Sequence, residues 1–220
     1  MIKIEQINDW HEAINQVVVG DCLDLMRKME DKCVDLVLTD PPYGINADKN
    51  AYKNGQNCKA NGFREYEQTE WDNESIDKKM LDEIFRISKN QIIWGANHFI
   101  SKMPKDSSCW IVWNKKQRNF SFADGELAWA SFDKAVRMFD FSRGELLSEN
   151  GLHPTQKPKE LMKWCLEKYS KQSDLIFDPF MGSFTTARAC KDLGRNFIGA
   201  EISESYCTIG EDRLRQQNLI

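Results

Sequence analysis

Residues 34–43 read VDLVLTDPPY, and this stretch decides the fold class. The apolar run Val34–Thr39 predicts a buried strand of a parallel sheet, because such strands are covered on both faces. Asp40 then stands at the carboxyl end of the strand, the edge at which open α/β sheets bind ligands. Two prolines follow; each has φ fixed at about −65° and has no backbone N–H group. The stretch therefore predicts a rigid loop with hydrogen-bond acceptors at a ligand-binding edge.

The four residues Asp40, Pro41, Pro42 and Tyr43 suit the methylation of an exocyclic amino group on a nucleobase. Such a nitrogen is a poor nucleophile because its lone pair is conjugated into the ring. The Asp40 carboxylate and the Pro41 carbonyl would accept its two N–H hydrogens and draw the lone pair out of conjugation, while Tyr43 would stack on the base. Taken alone, these candidate catalytic residues also fit an ordinary turn with a surface aromatic ring.

A second unit, strand then turn then helix, favours the catalytic interpretation. The apolar stretch 174–177 runs into DPFMGSFTT (178–186), and a helical stretch follows. Gly182 allows a close approach of backbone to ligand, and Ser183 or Thr185 is expected to cap the helix. A further strand ends at Glu201, 19 positions after Gly182, where an acid can accept hydrogen bonds from ribose hydroxyls. The G-x-G-x-x-G pattern is absent, so the unit predicts a nucleoside pocket without a pyrophosphate.

With these motifs in this order, the chain resembles the permuted class of S-adenosylmethionine-dependent DNA amino-methyltransferases, in which the catalytic motif precedes the cofactor motif. The resemblance covers almost the whole chain. It implies a Rossmann-like, doubly wound α/β fold with a mostly parallel seven-stranded sheet and one antiparallel strand near the edge. It departs from the family at Phe184, where the family usually has Gly, so we expect a weakened cofactor site or a reshaped wall. The motifs that carry the resemblance are Gly20-Asp21, Asp40–Tyr43, His153–Pro158, Asp178–Ser183 and Asn196–Glu201.

The resemblance also implies which residues bind S-adenosyl-L-methionine. It places the motif HPTQKP (153–158) beside the methionine moiety, with Lys157 as a partner for its carboxylate. Asp21 is expected near the adenine, although a Gly-Asp turn is also an ordinary helix cap. The predicted cofactor-binding residues are Asp21, His153, Thr155, Lys157, Asp178, Phe180, Gly182, Ser183, Thr185 and Glu201.

Length and composition predict a single domain over residues 1–220. A chain of 220 residues with 41% apolar residues can bury one sizeable core. Its catalytic half spans about 1–150 and its cofactor half about 151–220. We expect a cytoplasmic protein, because the sequence shows neither a charged-then-apolar leader nor a long apolar run. Seven scattered cysteines without a C-x-x-C pair indicate reduced thiols, and three widely spaced histidines predict no metal site.

The spacing of apolar residues predicts the remaining elements. Helices are expected over 23–29, 75–88 and 159–169, the last with Pro158 in its first turn. Strands are expected over 17–19, 91–94 and 109–113, and 127–130 is expected to form a hairpin with 136–139.

Two basic segments are candidates for contact with double-stranded DNA, the expected partner. The net charge is −4, so a DNA footprint must be a local patch. Residues 46–70 lack apolar periodicity and interleave cations with aromatic residues, as a strand-gripping loop requires. A solvated linker and an ordinary charged turn are the alternative interpretations of the two segments. The candidate cations are Lys49, Lys53, Lys59 and Arg64 in the first segment and Lys115, Lys116 and Arg118 in the second.

Together these features predict methyl transfer to the exocyclic amino group of a flipped base. Adenine N6 is preferred over cytosine N4, because the family's cytosine members more often begin the catalytic motif with Ser than with Asp. An RNA amino-methyltransferase would use the same site with RNA-binding additions, and Phe184 suggests a catalytically silent relative as another alternative. Relatives often form homodimers, and a restriction-modification system, a phage or a free-standing regulator could each use such an enzyme.

Overall fold

The computed structural model describes residues 1–45, 72–118, 123–142, 144–145 and 156–215. These residues form a nine-stranded sheet with α-helices on both faces and four short 3₁₀ helices between them. The strands are β1 (Ile2–Lys3), β2 (Gln16–Val19), β3 (Val34–Thr39), β4 (Ser88–Trp94), β5 (Trp110–Asn114), β6 (Gly125–Ala130), β7 (Arg137–Asp140), β8 (Leu175–Asp178) and β9 (Asn196–Glu201). The helices are α1 (Cys22–Met26), α2 (Lys78–Ile87), α3 (Lys159–Tyr169), α4 (Thr185–Asp192) and α5 (Glu204–Arg215).

The strand order is β1-β2-β9-β8-β3-β4-β6-β5-β7. In the described residues only β6 runs antiparallel to its neighbours, β4 and β5. The predicted α/β class with a mostly parallel, doubly wound sheet is confirmed. The predicted number of strands is wrong, because short strands β1 and β7 extend the seven central strands at the two edges.

The predicted hairpin between 127–130 and 136–139 is also wrong. Strand β5 lies between β6 and β7, pairing antiparallel with β6 and parallel with β7. The burial of the two strands explains this arrangement: Ala128 and Ala130 are fully buried, whereas Met138 is exposed. Strand β6 therefore needs a neighbour on each side, and β7 suits the edge.

Most predicted helices form with small shifts at their ends. Helix α2 begins after Asp77, whose side chain accepts a hydrogen bond from the N–H of Met80, and it ends where Ser88 opens β4. Pro158 has ψ 138° and is the N-cap of α3 rather than part of its first turn. Helix α5 was not predicted.

Side chains of the central strand β3 pack into two apolar layers, one on each face of the sheet. Leu36 and Leu38 face the layer that contains residues of α3 and α4. Val34 and Val37 face the layer that contains residues of α1 and α2. Both faces of the sheet are thus covered, and ligands are left with the edges formed by the strand ends. No helix in the described parts of the chain is long and apolar enough to span a bilayer.

Candidate active site

The candidate site lies where the carboxyl ends of the parallel strands meet. Asp40 follows β3, Asp178 ends β8 and Glu201 ends β9. Strand β5 runs in the same direction, because β4 and β5 are both antiparallel to β6. The amino end of β6, which carries Glu126, consequently lies at the same edge. Strand direction alone therefore places the motif after β3, the motif after β8 and the basic segment after β5 at one edge of the sheet.

Asp40 is held by two donors at the tip of β3. Lys157 Nζ lies 2.7 Å from its Oδ2 atom, and the Tyr43 hydroxyl donates a hydrogen bond to Oδ1. Lys157 Nζ also lies 3.0 Å from the Tyr43 hydroxyl oxygen and 2.9 Å from Oε2 of Glu126. The other oxygen of Glu126 pairs with Lys115 Nζ at 2.6 Å. These five residues, hereafter the Asp40 cluster, connect β3, β5, β6 and the segment before α3.

Burial and ion pairing set the protonation of this cluster. Burial raises the pKa of Asp40; the charge of Lys157 opposes this rise and the charge of Glu126 adds to it. Burial likewise disfavours ionised Glu126, but the charges of Lys157 and Lys115 lower its pKa to about 2. Burial opposes the charge on Lys157, yet Asp40 and Glu126 hold the pKa of Lys157 well above its ordinary value. Lys157 and Glu126 are therefore charged at neutral pH, and Asp40 is the acid that protonates first.

The position of Tyr43 depends on its neighbours. A Cβ atom at Gly95, where φ is +68°, would lie 1.9 Å from the Tyr43 ring, so glycine is required there. The His98 ring stacks on Tyr43 with centroids 5.0 Å apart. The N–H groups of Tyr43 and Gly44 donate to Oδ1 of buried Asp72 at 2.7 and 2.9 Å. One face of Tyr43 is thus covered by His98, and stacking on a base requires the other face.

The turn between β8 and α4 leaves open space beside Gly182. Gly182 has φ +51°, and a Cβ atom there would meet nothing closer than the Phe180 carbonyl oxygen at 4.0 Å. The Gly182 N–H donates to Oε2 of Glu201 at 2.7 Å, and the Ser203 N–H donates to Oε1 at 2.9 Å. Burial raises the pKa of Glu201, while these N–H groups oppose the rise. Each carboxylate oxygen retains a lone pair. An acid fixed beside an open glycine turn fits the ribose of a nucleoside cofactor.

Asp178 links strand β8 to strand β3. Its Oδ1 atom accepts hydrogen bonds from the Thr39 hydroxyl of β3 at 2.7 Å and from the Phe180 N–H at 3.2 Å. Burial raises its pKa to about 6, and hydrogen bonds from Thr186 and Thr39 oppose the rise. Asp178 is buried beneath the turn, where it fixes β3 and β8 relative to each other. Its direct contact with a cofactor stays a prediction.

The ring of Phe184 points into the core. It is fully buried and packs against Gly210 of α5, where a Cβ atom would lie 2.2 Å from the ring. Phe184 has φ +63°, a conformation that glycine adopts more readily. The backbone thus has a conformation that a glycine would suit, and the ring leaves the space beside Gly182 open.

Several predicted cofactor residues have other partners in the structure. Asp21 caps α1 by accepting a hydrogen bond from the N–H of Leu23 at 2.8 Å. Lys157 is committed to the Asp40 cluster. The predicted capping of α4 by Ser183 or Thr185 is wrong, because the N-cap residue is Phe184, which has no polar side chain. The hydroxyl oxygens of Ser183 and Thr185 instead lie 3.3 Å from each other. His153, Thr155 and the loop cations Lys49, Lys53, Lys59 and Arg64 lie outside the described residues.

The second basic segment lies at the predicted edge, but its three cations differ. Lys115 is mostly buried and paired with Glu126. Lys116 and Arg118 are exposed, and each lies 3.9 Å from a surface acid. Of the three, Lys116 and Arg118 are accessible to a phosphate.

Sequence reasoning missed Glu126, Asp72 and His98. Glu126 had a usable signal, because the amino end of an antiparallel strand lies at the same edge as the carboxyl ends of the strands beside it. Asp72 and His98 follow no motif or period that marks them. Within the described parts of the chain, no group of three His, Cys, Asp or Glu side chains is arranged to hold a metal ion.

Comparison with known proteins agrees with this geometry. The model of a DNA methylase family, that of the N6 and N4 methyltransferases, matches residues 34–212. The Type II methyltransferase M.HinfI of Haemophilus influenzae is 27% identical over 263 residues, which cover 96% of this chain and 70% of that protein. The structure of the M1.HpyAVI–SAM complex is similar at a TM-score of 0.57 and 22% identity, covering 91% of this chain and 99% of that one. The cytosine-N4-specific PvuII DNA methyltransferase is similar at 0.60 and 15% identity, covering 93% and 87%.

The family match spans most of the chain, and the protein therefore belongs to the DNA methylase family of N6 and N4 methyltransferases. It is an S-adenosylmethionine-dependent DNA methyltransferase of the kind that modifies adenine N6 or cytosine N4. The resemblance inferred from the five motifs is confirmed.

Proposed function

We propose that the protein transfers a methyl group from S-adenosylmethionine to N6 of adenine in double-stranded DNA. The observation that carries the proposal is the Asp40 carboxylate, which stays 28% exposed at the ligand edge and already accepts two donors. The choice of adenine rests on Asp at this position, because the family's cytosine-N4 members more often carry Ser there.

The chemistry begins with the target base outside the duplex, since a paired amino group cannot be approached in line. Asp40 and the Pro41 carbonyl accept the two amino hydrogens, which makes the nitrogen lone pair available. Each oxygen of Asp40 already accepts one donor, from Lys157 and from Tyr43, so the amino group must displace or weaken one of these contacts when it binds. Tyr43 stacks on the base with the face opposite His98. Holding both reactants in place accounts for roughly 7 to 11 kcal/mol of the barrier.

S-adenosylmethionine supplies an electrophilic methyl group on positively charged sulfur. Glu201 would accept hydrogen bonds from its ribose, and the open turn at Gly182 would let the backbone approach it. The alkylated amino nitrogen must lose one proton, and Asp40 is suited to receive it because burial raises its pKa. The remaining cofactor contacts predicted above belong to the same proposal, except that of Lys157, whose ammonium is engaged by Asp40 and Glu126.

The proposal includes a single domain over residues 1–220, a cytoplasmic location and a homodimer. The six described cysteines are free thiols, which supports a reducing compartment. The homodimer rests on the family resemblance alone.

The Asp40→Ala variant tests the catalytic role. We expect methyl transfer to fall by about a hundredfold or more, because the variant lacks an interaction needed mainly in the transition state. Affinity for S-adenosylhomocysteine, measured by calorimetric titration, should stay within a few-fold. Asp133→Ala is the matched control, since Asp133 is exposed in the connection that follows β6, at the opposite edge of the sheet.

The transfer assay uses tritiated S-adenosylmethionine with duplex DNA or total RNA, followed by digestion to nucleosides. Label in N6-methyldeoxyadenosine is the expected result. Label in N4-methyldeoxycytidine would show that the target base is cytosine and not adenine. Label in RNA alone would exclude the proposal that DNA is the substrate. Normal turnover by Asp40→Ala would exclude the proposed mechanism.

A further inference from the structure

Glu126 brings two lysine side chains together at the edge of the candidate site. Its Oε2 atom lies 2.9 Å from Lys157 Nζ, and its Oε1 atom lies 2.6 Å from Lys115 Nζ. The side chain of Lys157 is only 3% exposed. A buried ammonium without an acidic partner is strongly destabilising, so Lys157 requires at least one carboxylate at all times.

Lys157 has two acidic partners at nearly equal distance. Its Nζ atom lies 2.7 Å from Oδ2 of Asp40 and 2.9 Å from Oε2 of Glu126. The ammonium thus donates to the same carboxylate that must accept the target amino group in the proposed function. A substrate N–H and the Lys157 ammonium therefore compete for the acceptor atoms of Asp40.

We propose that Glu126 is a positioning residue that retains Lys157 when the target amino group binds Asp40. The inference rests on the proposed function and deepens it. Lys157 can shift its hydrogen bonds from Asp40 to Glu126 without leaving a buried charge unpaired, and Asp40 can exchange one donor for another. Lys115 holds the far oxygen of Glu126, so the Glu126 carboxylate stays in place during the exchange.

Replacement of Glu126 should therefore hinder the release of Asp40. In Glu126→Gln the size and one acceptor oxygen are kept but the charge is lost, so Asp40 becomes the sole acidic partner of Lys157 in the Asp40 cluster. We expect kcat to fall by about tenfold or more, since the tightened ion pair must open before the amino group is held. KM for DNA and affinity for S-adenosylhomocysteine should stay within a few-fold.

Two replacements of opposite character separate charge from packing. Glu126→Asp keeps the charge and shortens the side chain, whereas Glu126→Gln keeps the shape and removes the charge. The proposal expects higher kcat for Glu126→Asp than for Glu126→Gln. The reverse order, or a loss of cofactor affinity in parallel with kcat, would overturn it. Glu167→Gln, an exposed acid on α3, is the control and should behave as wild type.

A double-mutant cycle with Lys157→Met tests whether Glu126 acts through Lys157. Glu126→Gln should lower kcat in the wild type and have little further effect in Lys157→Met; equal losses in both backgrounds would refute the inference. A wild type that methylates neither DNA nor RNA refutes the proposed function instead. In that case the same cycle is measured by urea unfolding, and zero coupling between Glu126 and Lys157 refutes this inference separately.

Discussion

Asp178 carries its carboxyl group in the core, where the charged form is disfavoured. Hydrogen bonds from Thr39 and Phe180 compensate part of that cost, but its pKa is still raised to about 6 by burial. An acid whose pKa is higher in the folded state than the ordinary 3.8 binds its proton more tightly when folded. Its contribution to stability is therefore largest at low pH and declines as the pH rises through the interval between the two values.

Asp178→Asn should remove this pH dependence. Relative to the variant, the wild type should lose up to about 3 kcal/mol of unfolding free energy between about pH 4 and pH 6, with no further change above that interval. Urea unfolding of both proteins at several pH values measures the difference, in which the other titrating groups cancel. Asp133→Asn should follow the wild type throughout. A difference between Asp178→Asn and the wild type that does not vary with pH would show that the Asp178 carboxyl titrates normally.

At the scale of elements, helix α5 packs at Gly210 against the turn between β8 and α4. The ring of Phe184 occupies the space that a side chain at Gly210 would need. From the same helix, Arg213 donates a hydrogen bond to the Ser183 carbonyl oxygen at 2.6 Å. Helix α5 thus accommodates Phe184 in two ways: Gly210 leaves room for the ring, and Arg213 binds the backbone of the preceding residue.

Gly210→Ala should destabilise the protein although alanine favours helix formation. The propensity gain is about 1 kcal/mol, whereas forcing a methyl group against the Phe184 ring costs about 1 to 3 kcal/mol. In a Phe184→Ala background the clash is absent, so the same replacement should become neutral or stabilising. Urea unfolding of the two single variants and the double variant measures this change of sign. Equal effects of Gly210→Ala in both backgrounds would contradict the packing described.

Apolar runs predicted the strands well, because a buried parallel strand is apolar along its length. Strand β3 was predicted to the residue, whereas β4 begins three residues earlier than expected. The position of β6 between β4 and β5 could not be predicted, since strand order depends on contacts across the sheet. Helix α5 was missed because only Cys207 and Gly210 are buried along it, which leaves no apolar stripe in the sequence.

The candidate site was predicted as two motifs but not as a connected cluster. Strand ends marked Asp40 and Glu201, because chain direction fixes the edge where they lie. The pairing of Asp40 with Lys157 joins residues 117 positions apart, and Glu126 enters from an antiparallel strand. No local pattern encodes such contacts, which arise only when the sheet assembles.

At the scale of the whole molecule, the net charge of −4 works against DNA binding. Phosphates are repelled at long range, so attraction must come from a few cations close to the ligand edge. Lys116 and Arg118 are exposed after β5, at that edge. Lys49, Lys53, Lys59 and Arg64 follow the catalytic motif in the sequence, outside the described residues.

Salt dependence can assign the DNA contact to one of these two groups. If the four cations after the catalytic motif contact phosphates, replacing all four with Ala should weaken binding to duplex DNA of every sequence. The slope of log affinity against log salt should then flatten by about 0.9 for each lost contact. Fluorescence anisotropy between low and moderate salt measures the slope, and affinity for S-adenosylhomocysteine should stay unchanged. Lys171→Ala, in the exposed turn before β8 at the opposite edge, is the control. The fourfold variant could instead keep the wild-type slope while the double variant Lys116→Ala, Arg118→Ala flattens it. That result would assign the DNA contact to the segment after β5.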